Sequence, residues 1–150
     1  MQDDLFGDAA DPPKPTTQPA RQAARARSVH PAPPDTDALS LAARLPPLIH
    51  LGSSTWTYPG WAGFVWAERY SESQLSKHGL PAYSQHPLLR AVGIDRGFYR
   101  PLTASEFERL AQQVPEDFRF TVKGPSFVTD ALVRDERGQG QSLNPSFLDG

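Results

Sequence analysis

The chain has 150 residues, room for about one domain, with a formal net charge of -2 at pH 7 and no cysteine. The lack of cysteine excludes disulfides, thiolate metal sites and a thiol nucleophile, and it suits a reducing cytoplasm. The two signs of charge are mixed along the chain, so no basic field points to nucleic acid. No stretch approaches the roughly 20 apolar residues of a membrane span.

Residues 1 to 47 come first and are unlike the rest. They hold nine of the 16 prolines and almost no aromatic or β-branched residues. Such a segment buries too little apolar surface to offset the entropy of ordering it, so a disordered tail over residues 1–47 is expected. Its opening, "MQDDLFGDAAD", is acidic and lacks the apolar core of a secretory leader. Arg21, Arg25 and Arg27 read as a solvated linker.

From Leu48 the pattern changes. "PPLIHLGSS" is a short apolar run behind two prolines and reads as a buried strand over about 48–52. "STWTYPGWAGFVW" follows as a long loop holding all three tryptophans, Trp56, Trp61 and Trp66. A short helix is expected between Leu80 and Gln85, stopped near Pro87. "LLRAVGID" reads as a second strand. "LTASEFERLAQQV" is the clearest helix, with Thr103 or Ser105 as cap, Glu106 placed for a capping box, and Phe107, Leu110 and Ala111 as its apolar stripe. Pro115 stops it. "FRFTVKG" alternates Phe118, Phe120 and Val122 with Arg119, Thr121 and Lys123, a third strand. "RGQGQS" reads as a flexible loop, and Asn144-Pro145 as N-cap and N1 of a last helix.

Strands alternating with helices imply crossovers and a parallel sheet, either doubly wound or a (β/α)8 barrel. No G-x-G-x-x-G follows the first strand, so a dinucleotide-binding start is unsupported. A barrel takes about 250 residues, so the expectation is an N-terminal piece of a longer protein with three of eight strands.

Three motifs in order carry a resemblance. "LGSSTWTYPGW", then "DRGFYRP", then "EDFRFTVKGP" resemble the YecE-like family, known as domain of unknown function 72, over about residues 48–150. The resemblance implies an α/β fold: the N-terminal part of a TIM-type (β/α)8 barrel, incomplete in this chain and preceded by the disordered tail. It assigns neither a reaction nor a cofactor. One departure stands out. Where the family's second strand usually carries Glu-x-Asn, this chain has Gly93 and Asp95.

Barrels place function in the loops after the strands. The candidates are Ser53, Ser54, Trp56, Tyr58 and Trp61 after the first strand, Asp95, Arg96, Phe98, Tyr99 and Arg100 after the second, and Lys123 with Ser126 and Thr129 after the third. Strand alternation sends Arg119, Thr121 and Lys123 to the inner face, where a lysine needs a partner; Asp95 is the expected one. Lys123 and Asp95 are therefore the candidate catalytic pair. Alternatively, they form a structural ion pair. Ser54, Trp56, Tyr58, Trp61, Tyr99 and Arg100 are candidate ligand contacts, for a small polar compound such as a sugar or a phosphorylated molecule. Trp66 and Phe64 read as packing. His30, His50, His78 and His86 are too scattered to share a metal, and His78 and His86 read as surface residues. An enzyme, a binding protein and an inactive fragment all stay open.

The extreme N-terminus adds a separate signal. "QDDLF" resembles the short Q-x-D-L-F peptide by which bacterial repair proteins bind the DNA polymerase sliding clamp. The resemblance implies that Gln2 hydrogen-bonds while Leu5 and Phe6 fill an apolar pocket, with the tail as tether.

Overall fold

The computed structural model describes residues 28–135, 137 and 139–148. Gln2, Leu5 and Phe6, together with the arginines of the N-terminal linker, lie outside the described residues. Within them the fold is mixed α/β around a three-stranded parallel sheet.

Residues 28–47 depart from the expected disordered tail. They hold helix α1 (Thr36–Arg44), capped by the Asp35 carboxylate, which accepts from the Asp37 N–H. Leu45 ends it, and Pro46-Pro47 prevents its continuation. Ahead of α1 the backbone runs beside residues 65–67. The Ala32 N–H donates to the Val65 carbonyl and the Ala67 N–H to the His30 carbonyl, both at 2.9 Å. The Tyr70 hydroxyl accepts from the His30 N–H at 3.1 Å and donates to Glu68. Helix α1 itself buries no residue.

Strand β1 is short, Gly52–Ser53, and lies later than expected; Leu48 is 88% exposed. Gly52 is required there, because a Cβ at this position would overlap the Ala91 carbonyl of the neighbouring strand. After the aromatic loop comes α2 (Glu72–His78), which the sequence reading had missed. Ser71 caps it, its hydroxyl accepting from the Gln74 N–H. The expected short helix follows as α3 (Leu80–Tyr83). Strand β2 (Ala91–Ile94) pairs with β1 on one side and with β3 (Arg119–Val122) on the other, in the order β1-β2-β3. Helix α4 (Ala104–Ala111) joins β2 to β3 and opens on the capping box read from the sequence. Thr103 Oγ1 accepts from the Glu106 N–H, and the Glu106 carboxylate accepts from the Thr103 N–H at 2.8 Å.

Two expectations near the end are corrected. "RGQGQS" is not wholly a flexible loop, because Gly140–Leu143 forms β5, antiparallel to β4 (Leu132–Arg134). A short helix, α5 (Ser126–Thr129), precedes that hairpin. Asn144-Pro145 starts no helix. The Asn144 Nδ2 donates to the Phe127 and Asp130 carbonyls, and its Oδ1 accepts from the Ser146 N–H, so the side chain closes a turn.

The core lies on one face of the sheet. Val92 and Ile94 are buried there with Leu75 of α2, Leu80 and Tyr83 of α3, Leu110 of α4, and Trp66. Each aliphatic side chain buried this way contributes about 1.5–3 kcal/mol. Ala91 and Gly93, alternating with them, turn to the opposite face. That face carries the candidate site.

Candidate functional site

A cavity of about 490 Å³ opens along the other face of the sheet. Its walls are His50, Gly52, Ser53 and Ser54 from the β1 segment, Ala91, Val92 and Gly93 of β2 with Asp95 just after it, and Thr121 of β3 with Lys123 just after it. Small residues make the floor, leaving room for a guest. Gly93 matters most, since a Cβ there would stand 3.0 Å from the Ser54 carbonyl oxygen. A side chain at this position presses on the β1 backbone and fills the space.

Asp95 and Lys123 line this one cavity, but they form no ion pair among the described residues. Lys123 Nζ instead lies 4.4 Å from the centre of the Phe98 ring. The expected partnership is corrected on physical grounds. The ring face attracts the ammonium ion without desolvating it, and Lys123 is exposed, so it needs no buried counter-charge. Both charges thus face the cavity without neutralising each other.

Tyr83 fixes the cavity's edge. Its fully buried hydroxyl donates to the Ala91 carbonyl at 3.0 Å and accepts from the Ser53 N–H at 3.1 Å, and Ser53 Oγ lies 2.7 Å away. Burial raises the Tyr83 pKa, against the opposing effect of the Ser53 hydrogen bonds. The phenol therefore stays protonated and ties β1 to β2. His50, which the sequence reading passed over except as a failed metal ligand, also lines the cavity. Its Nδ1 is buried with no hydrogen-bond partner among the described residues. Its place just before the first strand was the one available signal.

The aromatic loop divides in two. Trp66 is fully buried, its Nε1–H donating to the Tyr58 carbonyl at 2.9 Å. With Trp61 and Tyr83 it forms a packed trio, ring centres 6.2–6.5 Å apart. Trp61 is thereby committed to packing as well. Tyr58 sets its ring edge-on to Trp61 at 5.5 Å and is half exposed. Phe64, expected as packing, is 75% exposed. Trp56 behaves differently. It is buried, its Nε1–H meets no acceptor among the described residues, and its ring lines two further cavities. An unmet buried donor costs about 1–3 kcal/mol.

The remaining candidates are scattered. Ser54 lies between the sheet-face cavity and a second one, of about 230 Å³, that also touches Trp56, Asp95 and Arg96. Tyr99 is 85% exposed and packs edge-on against Phe98. Arg100 donates to Glu106 at 2.7 Å and so supports the cap of α4. That ion pair, with the Thr103 bonds after it, holds the Glu106 carboxyl at about 2. A third cavity, of about 170 Å³, lies between α2, α4 and the turn after β2, lined by Trp56, Ser76, Lys77, Arg96, Glu106, Arg109, Leu110 and Gln113. Among the described residues no group of His, Asp and Glu gathers as a metal cage, and no helix is long and apolar enough to cross a membrane.

The family described as "Protein of unknown function DUF72" matches residues 50–148. No curated protein and no solved structure matches the chain.

Proposed function

The chain belongs to the DUF72 family, and on that premise we propose that it binds a small polar ligand, sugar-like or phosphorylated, at the C-terminal ends of its parallel strands. We read that sheet as the opening part of a TIM-type barrel and residues 1–47 as an N-terminal extension to it. One observation carries the reading. The sheet-face cavity is floored by Gly52, Ala91 and Gly93 and bears one carboxylate, Asp95, and one ammonium, Lys123, neither paired with the other. Its volume, about 490 Å³, falls in the usual range for small-molecule sites, roughly 300–1,000 Å³. Asp95 accepts from ligand hydroxyls, Lys123 donates to an anionic or carbonyl oxygen, and Ser54 and Thr121 supply hydroxyls between them. Were the protein to catalyse a reaction, Lys123 and Asp95 are the groups placed to move a proton. The cysteine-free sequence fits a reducing cytoplasm as its place of work.

The test is a thermal-shift screen of metabolites, followed by calorimetric titration of each hit. Lys123→Met and Asp95→Asn should each weaken binding by roughly tenfold or more, the loss of one charge-assisted hydrogen bond. Unchanged affinity in both variants would rule the reading out.

A second reading rests on the N-terminal "QDDLF". It makes the protein a DNA-maintenance accessory held to the polymerase sliding clamp. A peptide of residues 1–12 should bind the clamp and Phe6→Ala should remove that binding; an intact peptide that fails to bind removes this reading.

A further inference from the structure

We propose that the third cavity, between α2, α4 and the turn after β2, is a subsite for a phosphate-class oxyanion, held by Lys77, Arg96 and Arg109 with the Trp56 indole N–H. Lys77 and Arg109 come from the last turns of α2 and α4, and Arg96 from the 3-10 turn Arg96–Phe98. All three line the same small space, and among the described residues none forms an ion pair. One carboxylate lines it too, Glu106, but its oxygens are engaged by Arg100 and Thr103. Three cations around one committed carboxylate repel each other and leave an unmatched positive field.

The second observation is independent of charge. Trp56 is more than nine-tenths buried, lines this cavity, and carries an indole N–H with no acceptor among the described residues. A buried donor of this kind is an exception that calls for an acceptor. The Nε1 is shielded from the open cavity in the free protein, so an oxyanion reaches it once the indole edge turns toward the cavity, where two guanidinium forks match a tetrahedral anion's oxygens. The space, about 170 Å³, equals roughly five or six waters at ~30 Å³ each. That suits one phosphoryl group and not a whole sugar.

This subsite does not depend on the sheet-face reading. The two cavities share no lining residue, though the second cavity, touching Ser54, Trp56, Asp95 and Arg96, lies against both. If both readings hold, a ligand with a phosphoryl tail spans from Lys123 to Arg109.

The test follows the indole N–H resonances of the 15N-labelled full chain, the Trp56 signal being assigned with Trp56→Phe. Inorganic phosphate and glycerol 3-phosphate are titrated separately, each against sodium chloride of equal ionic strength. A saturable shift of the Trp56 resonance is expected, absent with chloride. Tighter binding of the ester identifies a phosphorylated metabolite as the source, and equal binding identifies the free ion. Arg96→Gln combined with Arg109→Gln should weaken binding by roughly tenfold or more. Both side chains are exposed, so the variant should fold, and its thermal unfolding is checked alongside. Arg69→Gln, an exposed cation that lines neither cavity, should leave phosphate binding unchanged, and the Trp56 readout, a residue outside the sheet-face cavity, separates this proposal from the sheet-face one. No saturable Trp56 shift beyond the chloride control, or undiminished affinity in the double variant, overturns it.

Discussion

Replacing Tyr83 with phenylalanine removes one oxygen from the centre of the molecule and leaves every carbon in place. That oxygen donates to the Ala91 carbonyl of β2 and accepts from the Ser53 N–H of β1, with the Ser53 hydroxyl 2.7 Å away. The two hydroxyl hydrogens, on Ser53 and Tyr83, have three contacts to choose among: the Thr55 carbonyl, the Ala91 carbonyl and the O···O contact between the two hydroxyls. Neither hydrogen is left without an acceptor. In Tyr83→Phe, a buried carbonyl loses its side-chain donor and a backbone N–H loses its acceptor. Leaving such groups unmet costs about 1–3 kcal/mol, with no cavity cost because the ring remains. For a folded unit of this size that lowers the melting temperature by roughly 5–20 °C. Ser53→Ala, which keeps the N–H to Tyr83, should lose less. A double-mutant cycle between the two positions should show coupling of about 0.5 kcal/mol or more. Urea unfolding of the full chain measures all three variants. If Tyr83→Phe unfolds within about 0.3 kcal/mol of wild type, the hydroxyl does not tie β1 to β2 and the reasoning fails.

Two pH effects follow from named groups. Glu106 is held at about 2, from 4.5, chiefly by Arg100. Its folded pKa is depressed, so its contribution is present above pH 4.5 and is lost as pH falls toward 2. The melting-temperature gap between wild type and Glu106→Gln should accordingly be widest above pH 4.5 and close toward pH 2; a constant gap would contradict the assignment. His86 is half-buried, not a surface residue, and its Nδ1 accepts from the Leu88 N–H at 3.3 Å. Burial lowers its pKa below 6.5, so stability drawn from the neutral ring is present above pH 6.5 and falls as pH drops through the lowered value. Denaturant midpoints should decline faster on acidification in wild type than in His86→Gln, and parallel curves would refute this.

The strand–helix alternation and the capping box were legible because local rules govern them. Thr103 and Glu106 are three residues apart, and the apolar stripe of α4 repeats at helical spacing. Helix α1 was overlooked because composition was averaged over 47 residues. Yet Asp35, an alanine-containing nine-residue run and Pro46-Pro47 are a start signal, a helix body and a stop in close succession. The hairpin of β4 and β5 was missed because "RGQGQS" has little strand character of its own and gains it only by pairing. The Lys123–Phe98 contact was illegible, since alternation predicts a face but not which neighbour a long side chain chooses. The tryptophans show the same limit. Trp66 was legible as packing, but the partial burial of Trp61 depends on Tyr83 of α3, which lies beyond it in the chain.

Gly93 links the family resemblance to what this chain's cavity can do. A glutamate there would place its Cβ 3.0 Å from the Ser54 carbonyl and its carboxylate on the strand that already carries Asp95. Two carboxylates that close repel, and one of them is driven toward the protonated acid, as two-carboxylate chemistry requires. Glycine removes that option and opens the floor of the cavity. What remains on the sheet face is one carboxylate and one amine, Asp95 and Lys123, besides His50. On the proposed reading, such a pair would orient a ligand by its hydroxyls and an electron-rich oxygen, with Lys123 and Asp95 the groups placed to move a proton. The space freed at Gly93 adjoins Ser54, which also borders the second cavity, where Trp56 and Arg96 begin the path to the basic subsite. A single missing side chain therefore changes both the charges and the free space on the sheet face.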